Sequence, residues 1–174
     1  MSAVDDMAKK LNDYFRFILI TNEIKYQNAL AMPDIFHNLQ IKSSPAKVFE
    51  NISSSAGLDR WWTKNSIAKP ETGGEYLLEF GPEYRWKAMV SRYLVNQIFE
   101  LQFTEADADW IGTKVGFSLV PKDGKTDLHF YHIGWPQANE HFKISSYCWA
   151  MYLRILKRFT EKGEQVPYEK RLDV

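Results

Sequence analysis

Apolar positions recur along the chain with two periods. Over residues 4–18, Val4, Met7, Leu11, Tyr14 and Ile18 share one face of a helix, with Asp5, Lys9, Asn12, Asp13 and Arg16 on the other. Residues 21–31 are polar and patternless and read as a connector, so Met32-Pro33-Asp34 makes a second start. Ile35, His37, Leu39 and Ile41 then alternate with Phe36, Asn38, Gln40 and Lys42, which predicts a strand apolar on one face. Ser44-Pro45 places a capping serine before a proline at the first helical position. That helix would bury Val48, Phe49 and Ile52, and after a break at Ser53–Gly57 a second short helix is expected over Leu58–Trp62.

Strands at hairpin spacing come next. Tyr76, Leu78 and Phe80 alternate with Glu75 and Glu79, Gly81-Pro82-Glu83 turns, and Tyr84, Trp86 and Ala88 alternate with Arg85 and Lys87. Val95-Asn96 turns again, before Phe99, Leu101 and Phe103. After an acidic loop, Glu105–Asp109, a strand over Trp110–Val120 supplies Val115, Phe117 and Leu119. Asp123-Gly124 is a hairpin turn, and Thr126, Leu128, Phe130 and His132 return. Gly134-Trp135-Pro136 hands over to a last helix, Ala138–Lys162, stopped by Gly163 and Pro167. On that helix Ile144, Cys148, Trp149, Met151, Tyr152, Leu153, Ile155, Leu156 and Phe159 sweep roughly 200°, about twice the stripe of an ordinary surface helix. Something concave must embrace it. Strands in succession followed by one helix predict an α+β domain, a curved antiparallel sheet around the long C-terminal helix with two short helices after the first strand. Residues 1–31 are expected to be a helical extension, packed on the domain or against another copy in a homodimer, and residues 32–174 the domain itself.

Composition narrows the function classes. At 174 residues, 45% apolar and 25% charged, the chain is an ordinary globular domain with a real core. Twenty-two basic and twenty-two acidic residues leave no net field for nucleic acid or an anionic membrane. The longest apolar run, Phe17–Ile20, is too short to span a bilayer, no signal peptide is read, and a lone cysteine, Cys148, fits a reducing cytoplasm. Aromatic content of 15%, with six Trp, points to a large interior.

Several segments carry a family likeness: IKSSPAKVFENISSSAGLDRWW, GGEYLLEFG, ADWIGTKVGFSLVPKDGKTDLHFYHIGW and SYCWAMYLRILKRFTEKGEQVP. Together they resemble the activator of heat shock protein 90 ATPase family of the START-like (SRPBCC, birch-pollen-allergen) superfamily, whose fold is the helix-grip. The resemblance spans about four fifths of the chain and leaves residues 1–31 outside. It implies a cavity between long helix and sheet, used across the superfamily for lipids, sterols and polyketides.

The expected occupant is therefore a small apolar ligand bound without catalysis. A co-chaperone-like activator of a heat shock protein 90 type ATPase and a polyketide cyclase-like enzyme are the alternatives. Thirty-one residues cannot stand in for the separate chaperone-binding domain of the eukaryotic activators. Candidate lining residues are Trp61, Trp62, Tyr76, Leu78, Phe80, Tyr84, Trp86, Phe103, Phe117, Phe130, His132, Trp135, Cys148, Met151 and Tyr152. Trp110 has the same two readings as the other tryptophans, wall or core. His132, on the face of Leu128 and Phe130, would orient a ligand or carry a proton. No metal or cofactor is expected: His129 and His132 point to opposite faces of a strand, and HExxH, paired CxxC, GxSxG and a phosphate-cradling glycine loop are missing from the sequence.

Overall fold

The computed structural model describes residues 32–173, together with Arg16 and Leu19. The helix expected over residues 4–18 thus lies, but for Arg16, outside the described residues. The chain divides into two units, Met1–Met32 and Pro33–Val174, and every element below belongs to the second.

Strand β1 (Ile35–Ile41) leads into helices α1 (Pro45–Ser53) and α2 (Ser55–Trp61). Strands β2 (Asn65–Ala68), β3 (Glu75–Glu79), β4 (Arg85–Leu94), β5 (Ile98–Glu105), β6 (Lys114–Lys122) and β7 (Lys125–Ile133) follow. Helix α3 (Glu140–Lys162) and a 3-10 turn (Tyr168–Asp173) close the chain. The seven strands form one sheet in the order β1-β7-β6-β5-β4-β3-β2, antiparallel throughout. All but one of these pairings are between strands adjacent in sequence. The exception brings β1 beside β7, with Leu39 opposite Leu128, and so makes β1 one edge of the sheet and β2 the other.

Local chemistry places the boundaries. Ser44 caps α1 by accepting from Lys47 N, with proline in the first turn. Ser54 ends α1 and starts α2: its hydroxyl donates to Glu50 O and accepts from Gly57 N. Helix α2 therefore begins at Ser55, three residues before the expected Leu58. Asn139 caps α3, so that helix starts at Glu140, and Gly163 ends it in the left-handed region at φ 71°. Asp123 and Gly124, with φ of 49° and 75°, make the tight turn between β6 and β7.

Three elements differ from the pattern reading. Residues 110–113 form a turn rather than strand, closed by Trp110 N to Asp107 O and Gly112 N to Phe103 O. Strand β2 was not signalled, because four residues at a sheet edge with Ile67 exposed carry no alternation. The 3-10 turn after Pro167 likewise had no periodic signature.

The sheet's inner face and α3 share the core, with Trp149, Leu153, Ile155 and Leu156 buried on the helix side. Register shifts between Lys87 and Ala88 and between Val90 and Arg92 mark irregularities in β4. Bulges of this kind bend and twist a strand. Past the second, the inward set changes parity from Ala88 and Val90 to Tyr93, which packs on Phe49 and Phe99. Ile144, inside the apolar arc of the helical wheel, is 52% exposed: the sheet does not reach that edge of α3.

The outer face holds one buried ionisable cluster. Glu100, Gly116 and Tyr131 are consecutive partners across β5, β6 and β7. Tyr131 lies over Gly116, where a β-carbon would run into its ring, and donates to Glu100 Oε2 at 2.6 Å. Ser91 Oγ donates to Glu100 Oε1 and Lys114 stands 3.3 Å away. Burial pushes the Glu100 carboxyl up, but the bonds from Ser91 and Tyr131 and the Lys114 charge outweigh it, so the net shift is downward.

Candidate functional site

A cavity of about 440 Å³ opens where α3 parts from the sheet. Its wall is aromatic. Trp62 at the end of α2, Phe80 after β3, Trp86 on β4, Trp110 in the turn before β6 and Trp149 on α3 form a closed circuit of rings. Successive centroids lie 5.5, 4.9, 4.7, 5.9 and 5.0 Å apart, the spacing at which aromatic pairs attract. Ile144, Ser145, Cys148 and Tyr152 line the helix side, and Tyr84, Tyr168 and Leu172 line the opening. Asp107 and His141 complete the lining.

The tail that borders this opening is held in place. Tyr168 Oη donates to Phe80 O at 2.6 Å. Arg171, buried, donates to the carbonyls of Val166, Thr63 and Asp59 at 3.2, 2.9 and 2.7 Å. The latter two lie at the C-terminal end of α2, where a cation is favoured. Its guanidinium also sits 5.3 Å from the Tyr168 ring centroid.

Of the residues expected on the wall, Trp62, Phe80, Tyr84, Trp86, Cys148 and Tyr152 are brought together around the cavity. The others are placed in the packed interior. Trp61 is fully buried, edge-on to Phe117, and donates its indole N–H to Asn51 O. Tyr76 donates its hydroxyl to Ser53 O, and Leu78, Phe103, Phe117, Phe130 and Trp135 are buried side chains of the core. Met151, almost buried, shares the helix face of Ile144 and Cys148 but is not among the lining residues. Burial raises the Cys148 thiol, and burial with the neighbouring Tyr168 and Cys148 pushes Tyr152 up to about 12. Both stay neutral near pH 7.

His132 is one layer behind the wall, not on it. Its ring lies 4.3 Å from Trp110 and 4.6 Å from Trp135. Trp149 Nε1–H donates to His132 Nδ1 at 3.1 Å, so the proton of the neutral imidazole is on Nε2, which donates to Thr113 Oγ1 at 2.9 Å. The Thr113 hydroxyl in turn donates to Trp110 O at 2.7 Å. Burial, and to a lesser extent His141, hold the His132 pKa down at about 3. Both ring nitrogens are spoken for, which is the satisfied core histidine, and no lone pair remains for a ligand. The chain does hold two of the wall's four tryptophans, Trp149 through its indole N–H and Trp110 through its carbonyl.

His141 also lines the cavity, although its first-turn position on α3 carries no apolar-face signal. Its Nδ1 is 3.3 Å from Asp109 Oδ2, which also accepts from Asn139 Nδ2 at 2.9 Å. A carboxylate only accepts, so Nδ1–H of His141 is the donor in this contact. Trp149, Ile144 and Trp110 were legible as apolar-face or aromatic positions, whereas Ser145 is polar and Asp107, Tyr168 and Leu172 lie outside any periodic stretch. Trp110 and Trp135 keep their buried indole N–H groups without an acceptor, each at a cost of about 1–3 kcal/mol.

Among the described residues no group of three His, Cys, Asp or Glu side chains could hold a metal ion. No helix among them is long and apolar enough to cross a membrane.

Residues 42–161 match the family described as activator of Hsp90 ATPase homolog 1-like protein. Among solved structures, the Aha1 dimer from Colwellia psychrerythraea superposes with a TM-score of 0.70 at 25% identity, over 76% of this chain and 99% of that one. A protein of Bacillus halodurans, BH1534, gives 0.64 at 22% identity, over 75% and 98%. CalU16 from Micromonospora echinospora gives 0.62 at 15% identity, over 79% and 83%. The fold is thus the helix-grip of the START-like superfamily. No curated protein matches the chain.

Proposed function

The chain belongs to the activator of Hsp90 ATPase homolog 1-like family, and from that premise we propose that it is a cytoplasmic binding protein holding a small, mainly apolar ligand between α3 and the sheet. The observation that carries this reading is the aromatic-walled cavity of about 440 Å³, within the range of roughly 300–1,000 Å³ that small-molecule sites occupy. Trp62, Trp86, Trp110 and Trp149 supply the desolvated surface, and Tyr84 and Tyr168 border the way in. Apolar area removed from water drives binding at about 25 cal/mol per Å².

Cys148 provides the test. It is the one thiol of the chain and lines the cavity, so an occupant must slow its alkylation. Ligands from a panel of lipids, sterols and polycyclic aromatics are expected to slow maleimide labelling of Cys148 and to raise the melting temperature together. Cys148→Phe, which fills the cavity from α3, is expected to abolish the melting shift while the protein stays folded. Shifts that persist in the filled variant would sink the reading.

Two observations favour other readings. The family match and the likeness to the Colwellia Aha1 dimer support a homodimer that stimulates an Hsp90-type ATPase, tested by turnover of purified chaperone with and without this protein. The Asp109–His141 pair at the cavity edge supports a cyclase-like proton transfer through His141 Nε2. Its test is loss of turnover in His141→Gln.

A further inference from the structure

We propose that the occupant of this cavity is an organic cation, a tertiary or quaternary ammonium on an apolar body. The inference rests on the reading of the cavity as a small-molecule site and names the class of molecule. Eight of its fourteen lining residues are Trp, Phe or Tyr, and neither Lys nor Arg is among the fourteen. An aliphatic lining of the same size would take any apolar ligand alike. Aromatic rings differ because each face carries a negative quadrupole, which attracts a cation within about 6 Å and does so most strongly for Trp. Here four of the five rings of the circuit are tryptophans.

The fixed charges around the cavity agree. Asp107 is the sole carboxylate among the described lining residues. The N-terminus of α3, positive by its dipole, is already met by Asp109 through Asn139 and by Glu140 in the first turn. The His141 imidazole faces Asp109. The Arg171 guanidinium, over the ring of the lining residue Tyr168, has its donors given to three backbone carbonyls. The lining thus offers an anion neither Lys nor Arg, only the Asp107 carboxylate and His141, whose Nδ1 is engaged by Asp109. A neutral ligand would gain only desolvation, while an ammonium would gain ring faces and Asp107 as well.

The experiment compares two isosteres on the full chain, benzyltrimethylammonium and neopentylbenzene, which differ in the charged nitrogen alone. Binding is followed by tryptophan fluorescence and by protection of Cys148 from maleimide. The ammonium is expected to bind at least tenfold more tightly, because the neutral hydrocarbon lacks the cation–ring attraction. In Asp107→Asn this advantage should shrink about threefold with neopentylbenzene affinity unchanged, and in Trp86→Leu it should shrink further, with melting curves confirming that each variant is folded. Equal or tighter binding of neopentylbenzene overturns the cation proposal and leaves the cavity reading standing. If neither compound protects Cys148 and the wider apolar panel also fails, the cavity reading falls with it.

Discussion

Lowering the pH should destabilise this protein through His132 before its carboxylates titrate. The imidazole is held near pKa 3 in the folded state against an ordinary value of 6.5. Between these values the unfolded chain takes up a proton that the folded chain refuses. Stability is therefore complete above pH 6.5 and is lost as pH falls toward 3, at about 1.4 kcal/mol per unit. From pH 7 to pH 5 this one residue should remove about 2 kcal/mol, a sizeable part of the 5–15 kcal/mol by which domains are typically stable. His132→Gln removes the titration. It also strips the acceptor from Trp149 Nε1, so at pH 7 the variant should be less stable by about 1–3 kcal/mol. Urea unfolding at pH 7, 6 and 5 is the assay: the wild type should lose ground to the variant as the solution is acidified, until their difference narrows or reverses near pH 5. Parallel loss in both proteins would refute the reasoning, as would an NMR titration of the His132 ring with a midpoint above pH 5.

Gly116→Ala puts a methyl group into the Tyr131 ring and should cost about 2–3 kcal/mol through overpacking. Because Tyr131 is the partner of that clash, the double variant with Tyr131→Ala should be less destabilised than the sum of the singles, and strict additivity by urea unfolding would contradict the geometry. Arg171→Leu leaves the carbonyls of Asp59, Thr63 and Val166 without their donor, for which a loss of about 2–3 kcal/mol is expected. With Tyr168 and Leu172 less firmly held at the opening, acrylamide should quench the tryptophans faster, and unchanged quenching would show that the tail is held by something else.

Pattern and local chemistry carried the architecture. The strand at Ile35–Ile41, the Ser44-Pro45 helix start, the Asp123-Gly124 turn and the Gly163 stop each depend on interactions within a few residues, and those are written in the order of the chain. The width of the apolar arc on α3 even required a concave partner. Local signals failed where an element owes its form to distant groups. β2 exists because β3 offers it an edge, and the 3-10 turn exists because Tyr168 and Arg171 find carbonyls on Phe80, Asp59 and Thr63. The cavity is of the same kind. Periodicity told which side chains face inward, and Trp86, Phe117, Phe130 and His132 do so alike. Whether an inward side chain meets a neighbour or empty space depends on how far sheet and helix diverge at its height. That distance is a property of the packed whole, which is why Phe117 and Phe130 fill the core, Trp86 walls a cavity, and His132 stands one layer behind it with both nitrogens bound.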